Sequence, residues 1–299
     1  MAGRNNNGET MSRFETRDLR PEFGSEVIGL DRSIPFDPET RRELRALFDA
    51  RGLLVFRDLS GSDMRFQTYL SELLGGDTDS VDPDEMTVFE MLVSNREERG
   101  GAPFGRLLFH SDMMWIESGC TALSLYGQTI SQPTIPTLFV SASHAWSTLP
   151  ADLRQRVEGR FAVQVQDATA QRSAAIPADV LVSTFAEEVR LRLPIGYAHP
   201  RTGETLLYVC PQMTHHIEDL DYAESEALIE ALSDHYYAED QILEHAWREG
   251  DLLVWDNIAL QHARPNVRME GPARTLRKVM VPCPTKFATG MATYSRVGD

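Results

Sequence analysis

The chain has 299 residues, is 42% hydrophobic and carries 29 basic against 45 acidic residues, a formal net charge of −16. That length and apolar content suffice for one sizeable core without division into several domains, and the acidic balance, with no basic run interleaved with aromatics, argues against a nucleic-acid partner. The three cysteines, Cys120, Cys210 and Cys283, lack the spacing of a disulfide framework or a thiolate zinc site, and no apolar run approaches a membrane span or a secretory signal, so a soluble, cytoplasmic protein with no membrane partner is expected.

Residues 1–12 are polar, Asn-rich and aperiodic, and are predicted disordered, leaving 13–299 as one domain. Glu26 to Leu30 reads as a strand entering a turn, 38–52 as a helix stopped by Gly52, Leu53 to Arg57 as a buried strand, and 64–76 as a helix ending at Gly75-Gly76. The segment 77–108 is acidic and then glycine-rich (NREERGGAPFG), which predicts a mobile active-site lid just before a His-Ser-Asp motif. From 109 onward short apolar runs bounded by Gly and Pro recur: LFHSDMMW, TALSLYGQTI, TLFVSA, FAVQVQ, TLLYVC, QILEHAW, DLLVWD and RKVMVP. Helices are expected at 144–159 and 223–238. Many short strands without alternating helices predict a sandwich or barrel rather than a doubly wound sheet.

His110 and Asp112 sit in the strand-like LLFHSDMMW, where residues two apart project from one face with Cα atoms about 6–7 Å apart, close enough to hold one ion. Two histidines and one carboxylate form the facial triad that binds non-haem Fe(II) and leaves the opposite positions open for a co-substrate and oxygen. The third ligand has to come from a distant strand, and His262 follows DLLVWDN, a buried run that turns at Asp256-Asn257 and re-enters as IALQH. A core histidine paired with Asp112 is the plain alternative. A second such pair, His216 and Glu218, sits beside a helix start at Asp221 and is not expected to converge on a metal. Arg274 heads RTLRKVMV, whose alternation puts Arg274, Leu276, Lys278 and Met280 on one face. A guanidinium there suits bidentate pairing with the distal carboxylate of a 2-oxo acid, with a solvent-facing edge arginine as the other reading. Trp115, just after the ligands, is a candidate for the substrate pocket or for the core.

In this order, GSEVIGLD, RGLLVFRDL, FHSD, AHPRTGETLLYV, THHIEDL with ESEALIEAL, GDLLVWDN, QHARP and the Arg274 strand resemble the taurine dioxygenase and 2,4-dichlorophenoxyacetate dioxygenase-like family of Fe(II)/2-oxoglutarate-dependent oxygenases, over most of residues 20–282. The resemblance implies a mainly β fold with flanking helices around a double-stranded β-helix core, jelly-roll and cupin-like. It implies Fe(II) on His110, Asp112 and His262, and 2-oxoglutarate on Arg274 and on Thr137, which follows Ile135-Pro136 where the family carries Gly-Asp. Lys278 and Asn95 match regions where the family meets its substrate. The implied activity couples oxidative decarboxylation of 2-oxoglutarate by O2 to C–H oxidation, most often hydroxylation, of a small anionic or amino-acid-like metabolite. Related halogenases lack the carboxylate that Asp112 supplies, which argues against halogenation. A 2-oxoglutarate-independent metal oxygenase or isomerase on the same fold, and a non-catalytic binding protein, are the alternatives. A homo-oligomer is compatible with the sequence.

Overall fold

Strands dominate the computed structural model, which describes residues 13–59, 61, 63–76, 81–86, 91–117, 119–172, 176–184, 189–282 and 293–296. The expected disordered segment, 1–12, lies outside the described residues. In chain order the elements are β1 (Glu15–Asp18), β2 (Ser25–Ile28), α1 (Pro38–Arg51), β3 (Leu53–Phe56), α2 (Met64–Gly75), β4 (Met91–Ser94), β5 (Gly105–His110), β6 (Ala122–Ile130), β7 (Thr137–Ser141), α3 (Ala142–Ser147), α4 (Ala151–Val157) and β8 (Phe161–Gln164). They continue with β9 (Leu181–Thr184), β10 (Leu191–Pro194), β11 (Gly196–Ala198), β12 (Thr205–Leu207), β13 (Thr214–Ile217), α5 (Tyr222–Tyr236), β14 (Leu243–His245), β15 (Leu252–Asp256), β16 (Leu260–Val267), β17 (Arg274–Val281) and β18 (Thr293–Arg296).

Two sheets form the core of the jelly roll. The larger has seven strands in the order β1-β2-β3-β15-β6-β17-β4, and the smaller has four in the order β14-β7-β16-β5. Alternation along each strand decides which layer it feeds. Leu53, Val55, Leu253 and Trp255 point between the sheets, where they meet Phe139, Leu260, Leu276 and Met280. Their neighbours Leu54, Phe56, Leu252 and Val254 point outward under α1 and α2, against Leu44, Phe48, Leu70 and Leu73. Both faces are covered, which is why these strands read as continuous apolar runs. On the far side, α3, α4 and α5 cover the smaller sheet through Val140, Ala263, Leu228, Ile229 and Leu232.

The helix boundaries follow from their end residues. Asp37 caps α1 by accepting from Glu39 N and Thr40 N, and Gly52 ends it at φ 66, a left-handed conformation that favours glycine. Asp221 and Glu224 form a capping box at the start of α5. The helix expected at 144–159 is two helices, α3 and α4, with Pro150 as the N-cap of the second, because a proline supplies no amide hydrogen to continue the first.

The segment expected as a lid is partly built into the sheets. β4 pairs antiparallel with β17, and Gly101 N donates to Leu92 O. Residues 77–80 and 87–90 lie outside the described residues.

Candidate metal centre and co-substrate pocket

β5 and β16 pair antiparallel with His262 opposite His110, which brings the two imidazole centroids to 4.4 Å. Phe109 and Ala263 belong to the outer cluster beneath the helices, so by alternation both histidines face between the sheets. Trp255 packs edge-on against His262 at 5.0 Å. His110 Nδ1 lies 2.7 Å from Leu108 O, an atom that can only accept, so Nδ1 donates there and Nε2 is the nitrogen turned toward Asp112.

Asp112 reaches the same place by a different route from the one expected. The strand stops at His110, and residues 112–115 form a turn with Met113 at φ 59. Asn257 holds that turn: its Oδ1 accepts from Asp112 N at 3.0 Å, and its Nδ2 donates to Asp112 O at 2.8 Å and Cys120 O at 2.9 Å. One amide therefore pins both ends of the loop behind the ligand. Asp112 Oδ1 comes to lie 3.2 Å from His110 Nε2.

One ligand atom from each of His110, Asp112 and His262 lies within 4.8 Å of the others, and no other such group of His, Cys, Asp or Glu occurs among the described residues. His262 Nδ1 is buried without a hydrogen-bond partner, the condition of an imidazole nitrogen awaiting an electron-pair acceptor. Burial alone would push the Asp112 carboxyl up, but Lys278, followed by the histidines, holds it well below the usual carboxylate range. Burial, then the neighbouring His110, keeps His262 well below the ordinary imidazole value. A neutral imidazole and an ionised carboxylate are the protonation states that ligate a divalent metal. This donor set fits Fe(II).

The second half of the site lies on β17 and β7. Arg274 is 4% exposed, and its Nε donates to Ile135 O and one terminal nitrogen to Thr137 Oγ1, both at 3.2 Å. No carboxylate pairs with it among the described residues. Burial first, then the nearby Arg264, makes its charged form costly, which an incoming carboxylate would relieve. Thr137 Oγ1 also accepts from Trp247 Nε1 at 2.9 Å. The sequence thus names both residues, and the structure brings them into contact despite Ile135-Pro136.

Asn95 lies beside Arg274, with its amide spent on main chain. Its Oδ1 accepts from Arg274 N, and its Nδ2 donates to Arg268 O and Pro272 O, each at 3.0 Å. Lys278 faces inward as the alternation requires, and its Nζ donates to Asp112 Oδ2 rather than reaching solvent. Trp115 is buried behind the ligand turn. The pair His216 and Glu218 stays away from the metal group: His216 Nδ1 lies 2.8 Å from His215 Nδ1, and Glu218 binds Arg192. β13 is a strand, so it is these partners, not a helix start, that separate the two side chains.

Three residues support the site in ways the sequence did not show. Trp247 orients Thr137. Arg264, two residues after His262, donates to Ala102 O, Phe104 O and Gly105 O at 2.8–2.9 Å and ties the approach to β5 onto the His262 strand. His199, in the segment AHPRTGETLLYV, lies 3.1 Å from Asp256 Oδ2, and Asp256 Oδ1 accepts from Ile258 N and Ala259 N to shape the bend before β16. The available signal was an Arg two residues after the candidate ligand His262, and a Trp just before GDLLVWD.

A His-Asp-His group beside a buried arginine-threonine pair between the sheets of a jelly roll defines an Fe(II)/2-oxoglutarate-dependent oxygenase. The chain belongs to the family described as Taurine catabolism dioxygenase TauD, TfdA family, whose model matches residues 15–280. It is 25% identical over 272 residues to an alpha-ketoglutarate-dependent 2,4-dichlorophenoxyacetate dioxygenase of Cupriavidus pinatubonensis (strain JMP 134 / LMG 1197), covering 82% of this chain and 89% of that one. It is 27% identical over 299 residues to pentalenolactone F synthase of Streptomyces avermitilis, covering 89% and 92%. Among solved structures, a taurine dioxygenase from Burkholderia xenovorans superposes with a TM-score of 0.71 at 21% identity, over 96% of this chain and 97% of that one, a likeness of fold. The protein is an Fe(II)/2-oxoglutarate-dependent dioxygenase that acts on small molecules. No described helix is long and apolar enough to cross a membrane.

Proposed function

We propose that this protein hydroxylates a C–H bond of a small metabolite, with His110, Asp112 and His262 holding Fe(II) and Arg274 and Thr137 receiving the distal carboxylate of 2-oxoglutarate. The observation that carries the reading is Arg274, a buried guanidinium with no carboxylate partner among the described residues, next to the one metal-compatible group found there. With iron and co-substrate bound, the site supplies oxidative decarboxylation of 2-oxoglutarate by O2, coupled to oxidation of the substrate carbon. The chain's own part is to orient and to enclose. Asn257 fixes the Asp112 turn, Trp255 and Phe139 wall in His262, and Thr137 with Arg274 fixes the co-substrate's far end.

An acidic group on the substrate is supported by the relatives named for 2,4-dichlorophenoxyacetate and for sulfate esters, and by Lys278 on the inner face of β17. Such a group would meet an ammonium that already holds Asp112. Asn95 acts in this reading as the clip that sets Arg274, and Trp115 as a wall behind the ligand turn. A cytoplasmic setting is supported by the free, buried thiols of Cys120 and Cys210.

The test is anaerobic addition of Fe(II) and 2-oxoglutarate, expected to give a visible charge-transfer band, followed by a screen of small acids coupled to succinate release and product mass. A gain of one oxygen supports hydroxylation. A loss of two hydrogens would replace it with desaturation, and no band in folded protein would leave a binding protein as the better reading.

A further inference from the structure

On the same face as Arg274, β17 carries a second, half-buried cation whose partner belongs to the metal-compatible group. Lys278 Nζ donates to Asp112 Oδ2, with the two side chains 17% and 14% exposed. The other carboxylate oxygen, Oδ1, is the one beside His110 Nε2. The two oxygens of Asp112 therefore face different neighbours, Oδ1 the histidine ligand and Oδ2 the ammonium. Asn257 already fixes the main chain of Asp112 through both its N–H and its carbonyl. What remains free is rotation of the side chain, and that is the motion Lys278 stops.

We propose that Lys278 is a positioning residue for the metal centre, holding Oδ2 so that Asp112 serves as a one-oxygen ligand and the positions needed by the co-substrate stay open. A carboxylate with both oxygens available can bind a cation through one or both. A facial triad functions only while the opposite positions are open, and a second oxygen from Asp112 would fill one of them. A charge-assisted N–H bond to Oδ2 opposes that change, and partners of this kind commonly set the orientation of a ligating carboxylate.

The choice of lysine fits the role. Its ammonium is compact and donates to one oxygen, whereas a guanidinium forks over both and would draw Oδ1 away from the histidines. The arrangement also carries a penalty, because a positive side chain beside the site repels a divalent metal. Removing Lys278 should accordingly leave metal binding intact or tighter while weakening the co-substrate. That combination distinguishes positioning from simple structural support, and it concerns the enzyme before any substrate binds, so it stands independently of the substrate reading above.

The experiment is anaerobic titration of metal-free protein with Mn(II), and of the Fe(II) protein with 2-oxoglutarate followed by its visible band, in wild type, Lys278→Met, Lys278→Gln and Lys278→Arg, with thermal unfolding of each. Lys278→Met is expected to bind Mn(II) at least as tightly as wild type and to lose on the order of tenfold in 2-oxoglutarate affinity, the scale typical of partners that orient a metal ligand. Lys278→Gln, which keeps a donor for Oδ2 without the charge, is expected to recover most of that loss, and Lys278→Arg to weaken Mn(II) instead. If Lys278→Met weakens both equally, the ion pair is only structural. If it changes neither, the ammonium serves the substrate alone, and either result overturns the proposal. Should Lys278→Met fail to fold, the opposite responses of Lys278→Gln and Lys278→Arg decide the matter by themselves.

Discussion

Thr137 offers a quantitative test of the co-substrate pocket. A threonine hydroxyl has two lone pairs and one hydrogen to donate. Trp247 Nε1 at 2.9 Å and the Arg274 guanidinium at 3.2 Å both donate to it, so the hydroxyl's own hydrogen is what remains. Thr137 is 2% exposed, and in the proposed reading the acceptor that Arg274 receives beside it is a carboxylate. Thr137→Val keeps the shape and removes this donor. A hydrogen bond to a charged group contributes about 1.5–3 kcal/mol, which corresponds to roughly 10- to 150-fold in 2-oxoglutarate affinity. The loss should appear in KM for 2-oxoglutarate, measured by succinate release, with kcat largely retained, because the group acts on binding. The same substitution leaves Trp247 Nε1 buried without an acceptor, at about 1–3 kcal/mol of stability, seen as a lower Tm. Thr137→Ser retains the hydroxyl and should restore the co-substrate affinity. A Thr137→Val enzyme with wild-type KM would refute the assignment even if its Tm fell, since the hydroxyl would then serve only Trp247.

Arg274→Met should weaken 2-oxoglutarate by about 2–5 kcal/mol, the usual loss on truncating a buried charge partner, while the Tm of protein without co-substrate stays level or rises because a costly buried cation is gone; a lower Tm with unchanged 2-oxoglutarate binding would reverse the reading. Asn257→Ala frees both ends of the 112–120 loop and should lower Mn(II) affinity in anaerobic titration more than it lowers Tm. His245 is held below the ordinary imidazole value, by burial first and against the pull of Asp251, so the folded protein takes up its proton at lower pH than the unfolded chain does. The unfolded chain takes up that proton near pH 6.5 and the folded chain only at lower pH, so stability is lost as pH falls between the two values, by at most about 1.4 kcal/mol per pH unit. Urea unfolding at pH 7 and 5.5 should show a smaller drop for His245→Gln than for wild type; equal drops would remove His245 from the acid response.

Legibility in the sequence followed the range of the interactions. The caps of α1 and α5 and the apolar runs of β3, β6, β15 and β17 are local, so periodicity and end residues place them within a residue or two. Inward and outward faces of β17 were also correct, with Leu276 and Met280 between the sheets and Arg277 turned out to Gln67. What failed was local geometry imposed from a distance. Asp112 leaves the strand because Asn257, 145 residues later, captures its turn, and no alternation pattern records that. Asn95 reads as a loop residue near substrate, yet its amide joins the chain at 268 and 272, far away in sequence. Arg264 gathers the carbonyls of 102, 104 and 105 in the segment expected as a lid, a long-range contact that only the folded sheet brings about.

The buried Arg274 and the half-buried Lys278 on one face of β17 illustrate how a strongly acidic chain can recruit an anion. Global charge acts at long range and is screened within about 10 Å, whereas a buried guanidinium acts at contact and in low dielectric. Lys278 is matched by Asp112, so its charge is largely cancelled within the protein. Arg274, four residues earlier on the same face, has no such carboxylate among the described residues and is the cation left seeking one. Exchanging the two environments would defeat both: an unmatched Lys278 beside the ligands would oppose the metal, and a carboxylate beside Arg274 would occupy the co-substrate's place. In the proposed reading the pattern Arg-x-x-x-Lys on β17 separates an anion anchor from a ligand clamp, and the three residues between them keep both on the inner face because four is an even step along a strand.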